Sequence, residues 1–514
     1  MSRVLYRGGV VHTPGDSGAT ALILDGDTVA WVGRDGDPPA AGDGADHVVD
    51  LDGALVTPAF VDTHVHATAT GLALDGLDLT GCPSLTEALR RVAEHAAVRP
   101  GEVLIGHGWD ETLWPERRAP TAAELDAATG GAVCYLSRTD AHSAAVSTAM
   151  LACVPAARAE AGFDPSGHIR LDAHHTIRRH AFDGMSPDQR RRVQRRTLTE
   201  AGRRGIGCLH ENAMPGLSSE EDLASLLDLA RTGPHPEVIG YWGELGAVGT
   251  ARRHGLAGLA GDLLADGSIG SHTACLTDPY TDAPGTTGHA YLTTGQVTEH
   301  VLECTRQGLQ AGFHAIGDGA LRTVLDGFRA AAERVGTDRI RAGHHRLEHV
   351  EMLDPDMIAT MAALGIAASV QPIADEFWGG DDGMYARRLG RGRARAMNPF
   401  RSLLEAGVPL ALSSDSPIMP MSPWPAIRAA ARHHVPAQRL SVAEALRAHT
   451  AGGWRAAGRH HGGAGFLRPG APASIAVWDC GDGLDAATGL PDVDGPLPHC
   501  LRTVVRGRTV HDGR

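Results

Sequence analysis

Apolar residues near the start of the chain come in short runs separated by turn-forming steps. Val4-Leu5-Tyr6, Val10-Val11, Ala21-Leu22-Ile23-Leu24 and Val29-Ala30-Trp31-Val32 are each of strand length, and Asp25-Gly26 suits a tight hairpin between two of them. The same style returns at Ser474-Ile475-Ala476-Val477-Trp478-Asp479 and at Thr503-Val504-Val505-Arg506-Gly507. Two β-rich ends flanking a different centre predict one small β-sandwich, built from residues 1–57 and 451–514. In the centre, residues 58–450, strand-length apolar runs alternate with helical patterns, which is the order an α/β barrel requires. Ile206–His210, Val238–Tyr241, Ala367–Val370 and Pro409–Leu412 are predicted strands, and Leu85–Ala97, Val297–Gly308 and Leu321–Val335 predicted helices. Strand candidates exceed eight, and the surplus between about residues 70 and 200 predicts an insertion after the first barrel strand with its own small structure.

Composition narrows the class. A hydrophobic share of 42% supports a large core rather than a disordered chain. A net charge of -14 argues against nucleic acid or an anionic membrane as the main partner. No apolar stretch approaches the ~18 residues of a membrane span, and the N-terminus lacks the apolar core of a secretion signal. The eight cysteines are scattered without a Cys-x-x-Cys pair, so neither a disulfide framework nor a zinc ribbon is expected. The expectation is a reduced, cytoplasmic enzyme acting on a small molecule, with a homodimer as the candidate assembly. Arg190–Arg196 falls on a helical pattern and suits a solvated face, and the group Arg387–Arg395 suits a surface loop. All 47 residues in the combined lysine and arginine count are arginine: the chain has no lysine.

The candidate chemistry centres on Asp62-Thr63-His64-Val65-His66, which ends an apolar run. Alternate residues of a strand face the same way, so the two imidazoles project together and can reach one metal ion. Distant partners raise the weight of this motif: His314 in Phe313-His314-Ala315-Ile316-Gly317-Asp318, His349 in Arg346-Leu347-Glu348-His349, and Asp415 in Ser413-Ser414-Asp415-Ser416-Pro417. Each lies at or near the C-terminal end of a short apolar run. In that order these five resemble the metal site of the amidohydrolase superfamily. Gly106-His107-Gly108-Trp109-Asp110, Arg138-Thr139-Asp140-Ala141-His142, Ala265-Asp266-Gly267-Ser268, Thr273-Ala274 and Gln371-Pro372 are similar to its N-substituted formamide deformylase-like branch.

The resemblance implies a (β/α)8 TIM barrel with His64 and His66 on the first strand, His314 and His349 on the fifth and sixth, and Asp415 on the eighth. It implies a divalent metal, most simply Zn2+, since imidazole and carboxylate ligands suit that ion, and the absence of lysine makes one tight site the expectation. Asp415 is the expected general base and then acid, and His349 is either a ligand or a hydrogen-bond donor to the reacting groups. Trp109, His142 and Gln371 are expected to line the substrate pocket, with Trp109 equally suited to core packing. His107 and His210 lie in neighbouring motifs. The expected reaction is hydrolysis of a C–N bond in an amide or N-substituted formamide. Deamination or cyclic amide opening on the same site is the alternative, and a catalytically silent binding barrel is a third reading. One departure stands out. Where the branch carries a metal-bridging carboxylated lysine, four residues before Asp266, this chain has Asp262. An aspartate is several ångströms shorter, so Asp262 is not expected to take over the bridge, and Glu211 is the other candidate.

Overall fold

The computed structural model describes residues 2–14, 18–37, 44–98, 100–101, 103–183 and 185–513, so Met1 and Arg514, the outer ends of the expected sandwich, lie outside it. Eight parallel strands form the central sheet: β1 Phe60–Val65, β2 Ile206–Ala213, β3 Glu237–Trp242, β4 Gly258–Leu259, β5 Gln310–Ala315, β6 Arg346–His349, β7 Ala367–Val370 and β8 Leu410–Leu412. Each strand neighbours the next in sequence order. The sheet closes just beyond β8, where Val65 bridges Ser416 in parallel. There Asp415 N–H donates to the His64 carbonyl at 2.8 Å and His66 N–H to the Ser416 carbonyl at 2.9 Å. Helices cover the outside. The helix Asp318–Val335 places Ala320, Leu321, Val324, Leu325, Phe328 and Ala331 on one buried stripe at helical spacing and packs on Thr294–Gln307.

Both chain ends build the sandwich. One layer pairs Thr28–Gly33, Ala21–Asp25, Arg3–Arg7 and His47–Asp50; the other pairs Val10–Val11, Leu55–Pro58, Ile475–Asp479, His499–Val505 and Arg508–Asp512. Tyr6, Leu22 and Leu24 of the first layer share a core with Val56, Ile475, Val477 and Val504 of the second. The C-terminal segment joins this core from Leu467 onward, whereas Gly453–Ala456, inside the range expected for the sandwich, packs under the barrel, with Trp454 against Val61 and Tyr241.

The insertion carries a five-stranded mixed sheet, Leu77–Asp78, Leu104–Trp109, Cys134–Arg138, Ser143–Val146 and His168–Arg170, followed by the helix Leu171–Asp183. Arg387–Arg395, expected as a surface loop, lies in two short helices, Met384–Leu389 and Arg391–Arg395. Their arginines have partners: Arg388 meets Glu111 and Asp282, Arg391 meets Asp382, and Arg395 meets Asp381.

Candidate metal centre

His64, His66, His314, His349, Asp262 and Asp415 converge at the C-terminal mouth of the barrel, where TIM-barrel active sites sit. Asp262 is the surprise. His64 Nε2 lies 3.3 Å from its Oδ1 and His66 Nε2 3.2 Å from its Oδ2. Asp415 Oδ1 stands 3.4 Å from His64 Nε2 and 3.3 Å from His66 Nε2. Two ligands held at 2.0–2.1 Å by a tetrahedral ion stand about 3.3 Å apart, so this spacing is that of atoms around a shared cation. The buried atoms agree with it. His64 Nε2, Asp262 Oδ1, His314 Nδ1 and His349 Nε2 have no hydrogen-bond partner among the described residues. Such orphans need an explanation, and a bound ion is one.

Asp262 reaches the histidines through the course of the backbone. β4 stops at Leu259, Gly261 turns with φ +75°, and pairing resumes where Leu264 bridges His314. A Cβ at Gly261 would meet Asn212 at 2.8 Å, so glycine admits a kink that a larger residue would block. Asp262 sits in that kink and needs no long side chain. Glu211 is engaged elsewhere: its Oε2 accepts the Ala67 N–H at 2.7 Å at the start of the helix Ala67–Asp75.

Two triads have ligand atoms all within 4.8 Å of one another, His64–His66–Asp415 and His64–Asp262–His349. His314 belongs to neither; its Nδ1 lies 3.6 Å from Asp262 Oδ1, and its Nε2 is 3.1 Å from the Gly267 carbonyl. In a regular strand Glu348 and His349 would face opposite ways. Here both reach the centre, because His349 has φ 71° and ends the strand. Asp415 also sits in the left-handed region, at φ 58°. Strained backbone of this kind concentrates at functional sites.

The histidines are aimed by a buried set of partners. His64 Nδ1 lies 2.9 Å from Glu348 Oε2, which leaves Nε2 to face the centre. Arg346 donates to both oxygens of Glu348, at 2.6 and 2.9 Å, and to the Thr63 carbonyl at 2.6 Å. His349 Nδ1 lies 3.0 Å from Gln371 Oε1, so its Nε2 is the free nitrogen. Burial disfavours charge on His66, yet the Asp262 and Asp415 carboxylates lift its pKa to about 9. That field attracts cations, whether protons or a metal ion.

A cavity opens from this centre beneath the insertion. His142 lines it, 5.0 Å ring to ring from His314, and burial with His314 nearby lowers its pKa to about 3, so it stays neutral. His107 also lines it, whereas His210 points to Arg346, Nδ1 to Nη1 at 2.8 Å. Gln371 lies on an adjoining pocket wall with Asp415 and His349. Trp109 does not reach either. It is fully buried, donates to the Leu136 carbonyl at 2.8 Å and packs on Trp114 in the core of the insertion.

The sequence model of the Amidohydrolase family matches residues 47–511, and the chain belongs to that family. Protein LONG AFTER FAR-RED 3 of Arabidopsis thaliana is 28% identical over 84% of this chain and 80% of its own length. N-substituted formamide deformylase of Arthrobacter pascens is 25% identical over 92% of each chain. An uncharacterized metal-dependent hydrolase from Pyrococcus horikoshii shares the fold, with a TM-score of 0.74, 24% identity and coverage of 93% of this chain and 97% of that one.

Proposed function

We propose that this protein is a metal-dependent hydrolase of C–N bonds in small amides or N-substituted formamides. The observation that carries the reading is the set of buried, unpartnered His64 Nε2, His314 Nδ1, His349 Nε2 and Asp262 Oδ1 around one centre. His64, His66, Asp262 and Asp415 would hold the ion, with His314 and His349 on its flank; zinc suits this donor set. A divalent metal bound there supplies Lewis acidity, polarising a carbonyl and bringing the pKa of water from ~15.7 to about 7. Asp415 takes the proton released by the attacking water and returns it to the departing nitrogen. Gln371 Oε1 accepts from Nδ1 of neutral His349, which leaves Nε2 as a lone-pair donor facing the centre, suited to a metal ion or to the proton of the attacking water, and Glu348 fixes the His64 tautomer. The likeness to N-substituted formamide deformylase supports an amide-type substrate.

The silent-barrel alternative draws its support from the missing lysine, and the place of Asp262 beside His64 and His66 favours the hydrolase reading over it. The test is elemental analysis with a panel of small amides and formamides, on the wild type and on His64→Ala/His66→Ala. The reading expects a divalent metal and amide turnover in the wild type, both lost in a folded double variant. Full metal occupancy in that variant would refute the site.

A further inference from the structure

The helix Leu171–Asp183 of the insertion brings Arg178 to the cavity that Asp262 also lines. Arg178 is only 7% exposed, and no carboxylate lies within ion-pair distance of it among the described residues. Its Nε has no partner, and Nη2 finds only His175 Nδ1 at 3.3 Å and Met214 Sδ at 4.0 Å. The other buried arginines near the site are neutralised. Arg138 meets Asp110, Glu111 and Asp140 at 3.2, 2.9 and 2.9 Å, and Arg346 holds Glu348. Asp140 also lines the cavity, but Arg138, Ser268 and Ser271 saturate it.

A buried guanidinium without a counter-charge is costly, and a fold retains one at little benefit to its own stability. Burial pushes the Arg178 pKa down, whereas carboxylates push those of Arg138 and Arg346 up. At the metal end, the negative charges of Asp262 and Asp415 are matched by a divalent cation. The charge of Arg178 therefore stays unmatched in the loaded site. Leu72, Phe182 and Leu217 form an apolar wall of the same cavity.

We propose that the substrate carries a carboxylate on an apolar group, and that Arg178 receives that carboxylate while the amide lies at the metal centre. The proposal rests on the hydrolase reading for the reaction and adds the substrate class. A planar guanidinium can grip a carboxylate with paired hydrogen bonds, which gives orientation as well as attraction. His175 braces Arg178, and its own Nε2 lies 3.5 Å from the Tyr291 hydroxyl.

Calorimetric titration of the purified protein, supplied with excess Zn2+, with 3-phenylpropionate and with its neutral amide, 3-phenylpropionamide, tests this. The acid should bind the wild type at least about tenfold more tightly than the amide, the size of a charge-assisted hydrogen bond. Arg178→Gln should erase the preference with metal content unchanged and a thermal midpoint equal or higher, because an unpaired buried charge is gone. Arg178→Lys should keep part of the preference. The proposal is overturned if the acid binds the wild type no better than the amide, or if the preference survives Arg178→Gln. It is equally overturned if both variants lower the thermal midpoint, which would give Arg178 a structural pairing. Metal content measured on the same samples separates the two readings. An Arg178-dependent acid preference in a protein that takes up no metal would sink the hydrolase and leave the anion site standing.

Discussion

Replacing Glu348 by glutamine isolates the pair that aims His64. Glu348 is fully buried, accepts from Arg346 at 2.6 and 2.9 Å, and meets His64 Nδ1 at 2.9 Å. Burial alone would raise its pKa, but Arg346 and His64 overcome that and bring it from 4.5 to about 2. That displacement corresponds to about 3 kcal/mol of folded-state stabilisation. Removing one member of a buried ion pair costs roughly 3–5 kcal/mol by a separate argument, because the partner charge is stranded. The two routes agree. The folded pKa lies below the unfolded one, so the contribution is complete above about pH 4.5 and fades as pH falls towards 2. Urea midpoints of wild type and Glu348→Gln should thus differ fully at pH 6 and converge in acid. Losing the Nδ1 partner should also weaken metal affinity by about 10–100-fold, read by competition with a chelator. A variant with unchanged midpoint at pH 6 and unchanged metal affinity would show that the chain Arg346–Glu348–His64 neither stabilises the barrel nor orients the ligand.

Asp262→Ala should strip metal from a folded protein, as measured by elemental analysis; full retention would place Asp262 outside the coordination shell. Titrating metal into the apo-protein should give one tight equivalent per chain, and added bicarbonate should change nothing, since no side-chain amine exists to carboxylate; two equally tight equivalents would contradict this. Asp415→Asn should lower kcat by at least the ~10²–10⁴-fold typical of general acid–base catalysis, with substrate affinity retained. Recovery of near-normal turnover on adding excess zinc would leave Asp415 its place as a ligand but remove its role as the base.

The barrel, the end-built sandwich and the insertion were legible because each obeys a local rule: strand-length apolar runs, turn-forming steps, helical stripes. The histidines were legible because His64 and His66 at strand spacing come with His314, His349 and Asp415 at the ends of apolar runs, in the order the family resemblance supplies. Asp262 was not, because its reach was judged from side-chain length while the Gly261 kink moved the backbone instead. The pair Arg346 and Glu348, two apart at the end of a strand, carried a signal that could have been used: two opposite charges on one face of a buried strand. Trp109 was drawn to the pocket by its motif, and its large apolar ring packs in the core. Arg178 lies in a stretch dense with histidine and arginine, and its sequence looks like any solvated helix face. Its lack of a counter-charge exists only in three dimensions.

The seam that closes the barrel has a consequence for how the protein matures. Asp415 bonds through its backbone to His64, and Asp62 accepts the Ser414 N–H at 2.9 Å across 352 residues of chain. Closing the ring at this seam therefore also brings Asp415 to His64 and His66. A chain with seven strands assembled has His64 and His66 in place but lacks Asp415 opposite them, so it cannot complete the four-residue grip. Bringing such distant segments together is entropically slow. An ion bound by these residues would act as a rivet on that join, and the rate at which metal becomes resistant to chelators during refolding would then be a clock for ring closure.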